Sequence, residues 1–103
     1  MNQNGLKEIK ETSNKLVGKL QHMVAIKDDQ KKINKEVKEI RKLHANMEKA
    51  YRKAESVLES MKFDKQNYFN AANTVKRACN QPTEGNIQTA LNKMNDFVTK
   101  LAA

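Results

Sequence analysis

From Val37 onward the apolar positions of this chain recur at alternating three- and four-residue steps, through Ile40, His44, Met47, Tyr51, Ala54, Leu58 and Met61. This unbroken heptad spacing, prefaced by Ile33, draws one coiled-coil-grade seam along a long helix. A looser stripe precedes it, with Leu6, Ile9, Ser13, Leu16, Leu20 and Met23 on one helical face and Val17 and Val24 widening it. Gly18 inside that stripe either lowers the local helix propensity or marks a close helix contact. The two stripes fall out of step across Lys27–Gln30, where Asp28 and Asp29 stand ahead of the second run as N-cap residues do. The pattern predicts a tight turn and a helical hairpin over residues 6–62. The competing reading is one continuous helix whose seam shifts phase through a stutter.

Two shorter elements follow. Asp64 is placed to cap a third helix in which Tyr68, Phe69, Ala72, Val75 and Cys79 share a face, and Asn80–Gly85 gathers the one proline, a glycine and small polar residues into a loop. Beyond it Ile87, Leu91, Met94, Val98 and Leu101, flanked by Ala90 and Phe97, form an amphipathic final helix. No run alternates apolar with polar residues as a strand does. The expected fold is all-α: a helical bundle built on a long antiparallel, coiled-coil-like hairpin with two shorter C-terminal helices, about 5–27, 29–62, 64–80 and 84–102, in one domain over 1–103.

Composition sharpens the picture. With 38% hydrophobic and 5% aromatic residues, no Trp and five Met, the 103-residue chain can fill helix-to-helix seams but is thin for one large core. Burial through a homo-oligomer or a protein partner is therefore expected. Twenty Lys and Arg against twelve Asp and Glu give a formal charge of +8, which favours acidic or phosphate-rich partners and also serves solubility. With Val37 at heptad position a, the outward positions of the second helix carry Lys31, Lys32, Lys35, Lys38, Lys42, Lys49, Arg52 and Lys53, while Glu36, Glu48 and Glu55 fall on the shoulders. Lys31 with Lys35, and Lys38 with Lys42, are like-charge pairs one turn apart, mildly unfavourable unless the ridge binds something. Glu39 and Glu59 interrupt it, and Glu48 with Arg52 makes an ordinary stabilising pair.

Catalytic chemistry has no starting point. His22 and His44 are far apart, and the single Cys79 has no metal-type neighbour and sits on an apolar face, so no metal, cofactor or catalytic residue is expected. Glycine-rich phosphate loops and nucleophile elbows are lacking. His44, on the seam itself, reads as a polar residue fixing register. Were it buried there, protonation near neutral pH would loosen the seam. The lone cysteine, the charged N-terminal segment and the lack of an uncharged apolar run point to a cytoplasmic protein without a membrane span. Tyr51–Glu55 spells Y-x-x-x-E, but the W-x-G turn that accompanies this export signal in small helical-hairpin secretion substrates is missing, and no family assignment follows.

The expected function is a non-enzymatic protein-interaction or assembly module, an adaptor, chaperone or scaffold, pairing helices through Val37, Ile40, His44, Met47, Tyr51, Leu58 and Met61. The alternative is a largely sequence-independent nucleic-acid-binding protein using Lys31, Lys35, Lys38, Lys42, Lys49, Arg52 and Lys53.

Overall fold

The computed structural model describes residues 3–102. Four helices, α1 (Gln3–Ala25), α2 (Gln30–Ser60), α3 (Lys65–Asn80) and α4 (Glu84–Ala102), pack into a rod of 44 × 19 × 19 Å. The break between the two long stripes is a turn, and α1 and α2 form a hairpin. Its register is antiparallel, since Lys53 meets Glu8 at one end and Lys19 meets Glu36 nearer the other. Contacts then run round the bundle from α2 to α3, α3 to α4 and α4 back to α1. Each helix touches the two beside it and leaves the diagonal one to the core.

Side chains cap the starts of α2, α3 and α4 where the sequence places polar residues. The Asp29 carboxylate accepts from the Lys32 amide at 3.1 Å, and Asp64 does the same for Gln66 at 2.9 Å, satisfying donors that a first turn leaves orphaned. At α4 the Thr83 hydroxyl accepts from the Asn86 amide at 3.2 Å. The end of α2 has no glycine. Lys62 takes the left-handed conformation, φ 59°, so that its amide reaches the Glu59 carbonyl and the Phe63 amide reaches Leu58. This is a Schellman cap built on a residue whose Cβ makes the conformation costly.

The interior is one apolar cluster. Ile9, Leu16, Leu20 and Met23 of α1, Ile33, Ile40, Met47 and Leu58 of α2, Val75 of α3, and Ile87, Met94, Phe97 and Leu101 of α4 are almost wholly enclosed. Alanines 50, 54, 71, 78 and 90 are buried between them and let backbones approach. At one end Tyr51 and Tyr68 stack with centroids 3.8 Å apart and planes 7° from parallel, and Phe97 meets Phe63 edge-on at 5.8 Å. Ser13, expected on the first stripe, is fully enclosed, and its hydroxyl has no hydrogen-bond partner among the described residues. Phe69, expected on the core face of α3, is instead 43% exposed. It lies one residue round the helix from Tyr68, and Ala71, Val75 and Ala78 take the inner positions.

The close helix contact falls at Gly5 rather than Gly18. A Cβ on Gly5 would stand 2.9 Å from the Lys53 carbonyl carbon and 3.0 Å from the Ala54 nitrogen, whereas one on Gly18 would meet nothing within 4 Å. Backbone cannot swing aside as a side chain can. Gly5→Ala is therefore expected to lower stability by about 1–2 kcal/mol despite alanine's better helix propensity, and Gly18→Ala to raise it by up to about 1 kcal/mol. Paired urea titrations check this; equal gains from both would mean that α1 is not held against α2 at its start.

α3 covers only part of α2. Because Arg41 reaches the carbonyl of Cys79, near the end of α3, the first ten residues of α2 run on past it with α3 absent from that flank.

Candidate functional site: the basic face of α2

Four of the seven seam residues are spent inside the bundle. Ile40, Met47, Tyr51 and Leu58 are buried against α1, α3 and α4, Val37 and His44 are half-buried, and Met61 stands exposed at the end of α2. With the bundle closed, the main part of this stripe serves the fold. His44 sits beside the core rather than in it, with Nε2 3.2 Å from the Ala72 carbonyl. That nitrogen is the donor, since a carbonyl only accepts.

The basic residues divide into two kinds. Arg52 pairs with Glu48 one turn away at 2.8 Å, and Lys53 with Glu8 of α1 at 3.3 Å. Lys31, Lys35, Lys38, Lys42 and Lys49 are exposed and stand in no ion pair among the described residues. At 100° per residue these five fall within about 60° of one another, a straight ridge about 27 Å long at 1.5 Å per residue. At its edges between Lys42 and Lys49 lie Ala45 and Asn46, both exposed.

Two of the three acidic residues of this stretch of α2, Glu36 and Glu39, are turned toward α1, while Glu48 lies on the α3 side and pairs with Arg52. Glu36 is buried, with Oε1 3.5 Å from the Lys19 ammonium and Oε2 3.3 Å from Nδ1 of His22, a close approach without the alignment of a hydrogen bond. Glu39 takes the other side of the same ammonium. The hydrogen bond between them holds the Glu39 carboxyl below the ordinary carboxylate range and the Lys19 ammonium above the ordinary lysine value, with the Lys35 and Lys42 charges adding to the effect on Glu39. Neutralisation thus happens on the α1 flank and leaves the outer ridge bare.

Sequence periodicity alone missed a second basic row. Arg41 donates to the Cys79 carbonyl at 3.2 Å and the Asn80 side chain at 3.3 Å, which brings it beside a shallow depression lined by Asn73, Lys76, Arg77, Asn80 and Gln81. Lys76 and Arg77 carry no ion pair among the described residues. Helix packing, which a one-dimensional pattern does not contain, makes α3 a neighbour of the ridge.

Other clefts offer less. An open trough of about 620 Å³ between α1 and α2 is lined by Lys15, Gly18, Lys19, His22, Glu39 and Leu43 among others, with its carboxylate and one ammonium already joined. Between α2 and α3 a groove of about 400 Å³ exposes Phe69 beside Tyr51, Tyr68 and Lys76. No group of three or more His, Cys, Asp or Glu stands placed for a metal ion among the described residues, and no helix there is long and apolar enough to cross a membrane. The Cys79 thiol is pushed up by burial, with the Arg41 charge opposing weakly, so it is held as the un-ionised thiol rather than as a nucleophile.

The architecture defines the class as an antiparallel four-helix bundle. The chain matches no protein-family model, no curated protein and no solved structure.

Proposed function

We propose that this protein is a non-enzymatic binding module, working in the cytoplasm, whose active surface is the basic outer face of α2 and whose partner is a polyanion. The observation carrying this reading is the segregation of charge: five lysines share one unpaired ridge, while Glu36 and Glu39 are drawn to α1 and Glu48 is paired with Arg52. Solubility alone requires no such sorting, and like charges one turn apart mildly destabilise the helix that bears them.

The test is retention on immobilised heparin. The wild type is expected to bind and to elute with salt, and the K31Q/K35Q/K38Q/K42Q/K49Q variant to lose most of that retention. A control replacing Lys7, Lys10, Lys65, Lys93 and Lys100 by Gln lowers the formal charge by the same five, from +8 to +3, and should bind nearly as the wild type does. Equal loss in both variants would reduce the effect to net charge and defeat the reading.

A second reading, docking of a protein partner as in an adaptor or scaffold, is favoured by the α2/α3 groove. Phe69 and Met61 are the exposed large apolar side chains, at 43% and 48%, and aromatic anchors at a groove are what protein interfaces use. Self-association belongs to this reading.

A further inference from the structure

We infer that the α2 ridge and the Lys76–Arg77 end of α3 form one surface that grips the phosphate backbone of duplex nucleic acid without reading its sequence. The inference rests on the polyanion reading and commits it to one partner.

Three observations favour a duplex. The ridge is straight and about 27 Å long, with successive lysines rising about 4.5–10 Å, so it presents a line of point charges rather than a pocket for one anion. The axes of packed helices lie about 8–10 Å apart, so Lys76 and Arg77, at the end of α3 that Arg41 reaches, add positive charge on the helix next to the ridge, at a helix spacing of the order of the roughly 6–12 Å duplex groove widths. The strip between the lysines has no large apolar or aromatic anchor, with only Ala45 and Asn46 at its edges, whereas the centre of a protein interface is built on such anchors.

The same feature argues against single strands. Their binding without sequence preference draws on several rings that stack on bases. Here Tyr51 and Tyr68 are stacked on each other and each is 5% exposed, so Phe69 is the one ring free on that side. The past-α3 extension of α2 removes an obstacle as well. Lys31, Lys35 and Lys38 stand where α3 does not flank the helix, so a rod-shaped partner can lie along them.

Arg41 is held by the Cys79 carbonyl and the Asn80 side chain rather than turned to the ridge. Seven cations remain, the five ridge lysines with Lys76 and Arg77, and the counterion relation gives a slope of about −6 in log affinity against log salt, a loss of about 5,000-fold between 50 and 200 mM.

The experiment is fluorescence anisotropy of the intact protein with a generic 20-base-pair DNA duplex over that salt range. The single strand of the same length, a duplex of scrambled sequence and heparin are run as further arms. The expected result is duplex binding with that slope, duplexes of different sequence within about threefold, and the single strand weaker. In K76Q/R77Q, which leaves the Arg41 tie intact, the slope should flatten to about −4.5 and the salt loss to about 500-fold. Thermal melting of each variant separates loss of binding from loss of fold. Heparin binding through the ridge with no duplex binding, a single strand bound as tightly as the duplex, or a slope unchanged in folded K76Q/R77Q would overturn this inference and leave the polyanion reading standing. Failure of heparin and duplex alike would remove both.

Discussion

Phe97→Ala should cost about 3–5 kcal/mol of unfolding free energy, a large part of the roughly 5–15 kcal/mol that holds a domain of this size together. Phe97 is fully enclosed, and its ring meets Phe63 edge-on at 5.8 Å and Tyr68 at 5.7 Å. Truncation therefore leaves a cavity and also takes an aromatic neighbour from both rings. Those rings come from the α2–α3 turn and from α3, so α4 would lose its anchor at the end of the bundle where three helices meet. The measurement is chemical denaturation followed by helicity, with Leu91→Ala, a half-buried position on the same helix, for comparison. A loss below about 1 kcal/mol for Phe97 would mean that this end of the bundle collapses around the gap, contrary to the rigid packing described above.

The second large effect is expected in alkali. Burial pushes the Tyr68 phenol up to about 12, with the Glu48 charge reinforcing it, and desolvation raises the Tyr51 phenol beneath it as well. The folded value lies above the unfolded one, so the stabilisation is complete below about pH 10 and is lost as pH rises through about 12. Two pKa units correspond to about 2–3 kcal/mol for Tyr68. Lysines titrate in the same window, so the informative quantity is the difference between wild type and Tyr68→Phe. The wild type should lose about 2–3 kcal/mol relative to Tyr68→Phe as pH climbs from 10 to 12, because phenylalanine has no proton to lose. A difference that stays constant across that range would mean that the phenol is already hydrated in the folded state.

The sequence discloses the helices more readily than their neighbours. The heptad run from Val37 to Met61 specifies α2 and its inner face because each step is a local, periodic constraint, and Asp29 and Asp64 announce helix starts through chemistry that acts within three residues. The end of α2 is harder to place, since Lys62 occupies a left-handed position that glycine normally signals. Phe69 and Tyr68 are equally apolar in a pattern, and only packing decides which ring goes inward. Gly5 and Gly18 show the same limit: each is a glycine in a helix, but the position of Lys53 relative to Gly5 depends on where two helices cross. For the candidate site, the five ridge lysines are legible from helical spacing alone. Their lack of partners, and the arrival of Lys76 and Arg77 beside them, depend on a carboxylate rotating toward α1 and on α3 folding back along α2.

The round of helix contacts also bears on how quickly the bundle forms. Three of its four sides join helices consecutive in the chain, across connections of a few residues, and only the α1–α4 side brings distant segments together. Chains dominated by such local contacts pay little loop-closure entropy before contacts repay it, and helical bundles of this kind fold in microseconds to milliseconds. Closing α4 onto α1 is the one step that must wait for the rest. Newly made chains would thus hold most of their apolar surface in hairpins early, with little time spent in states open to aggregation.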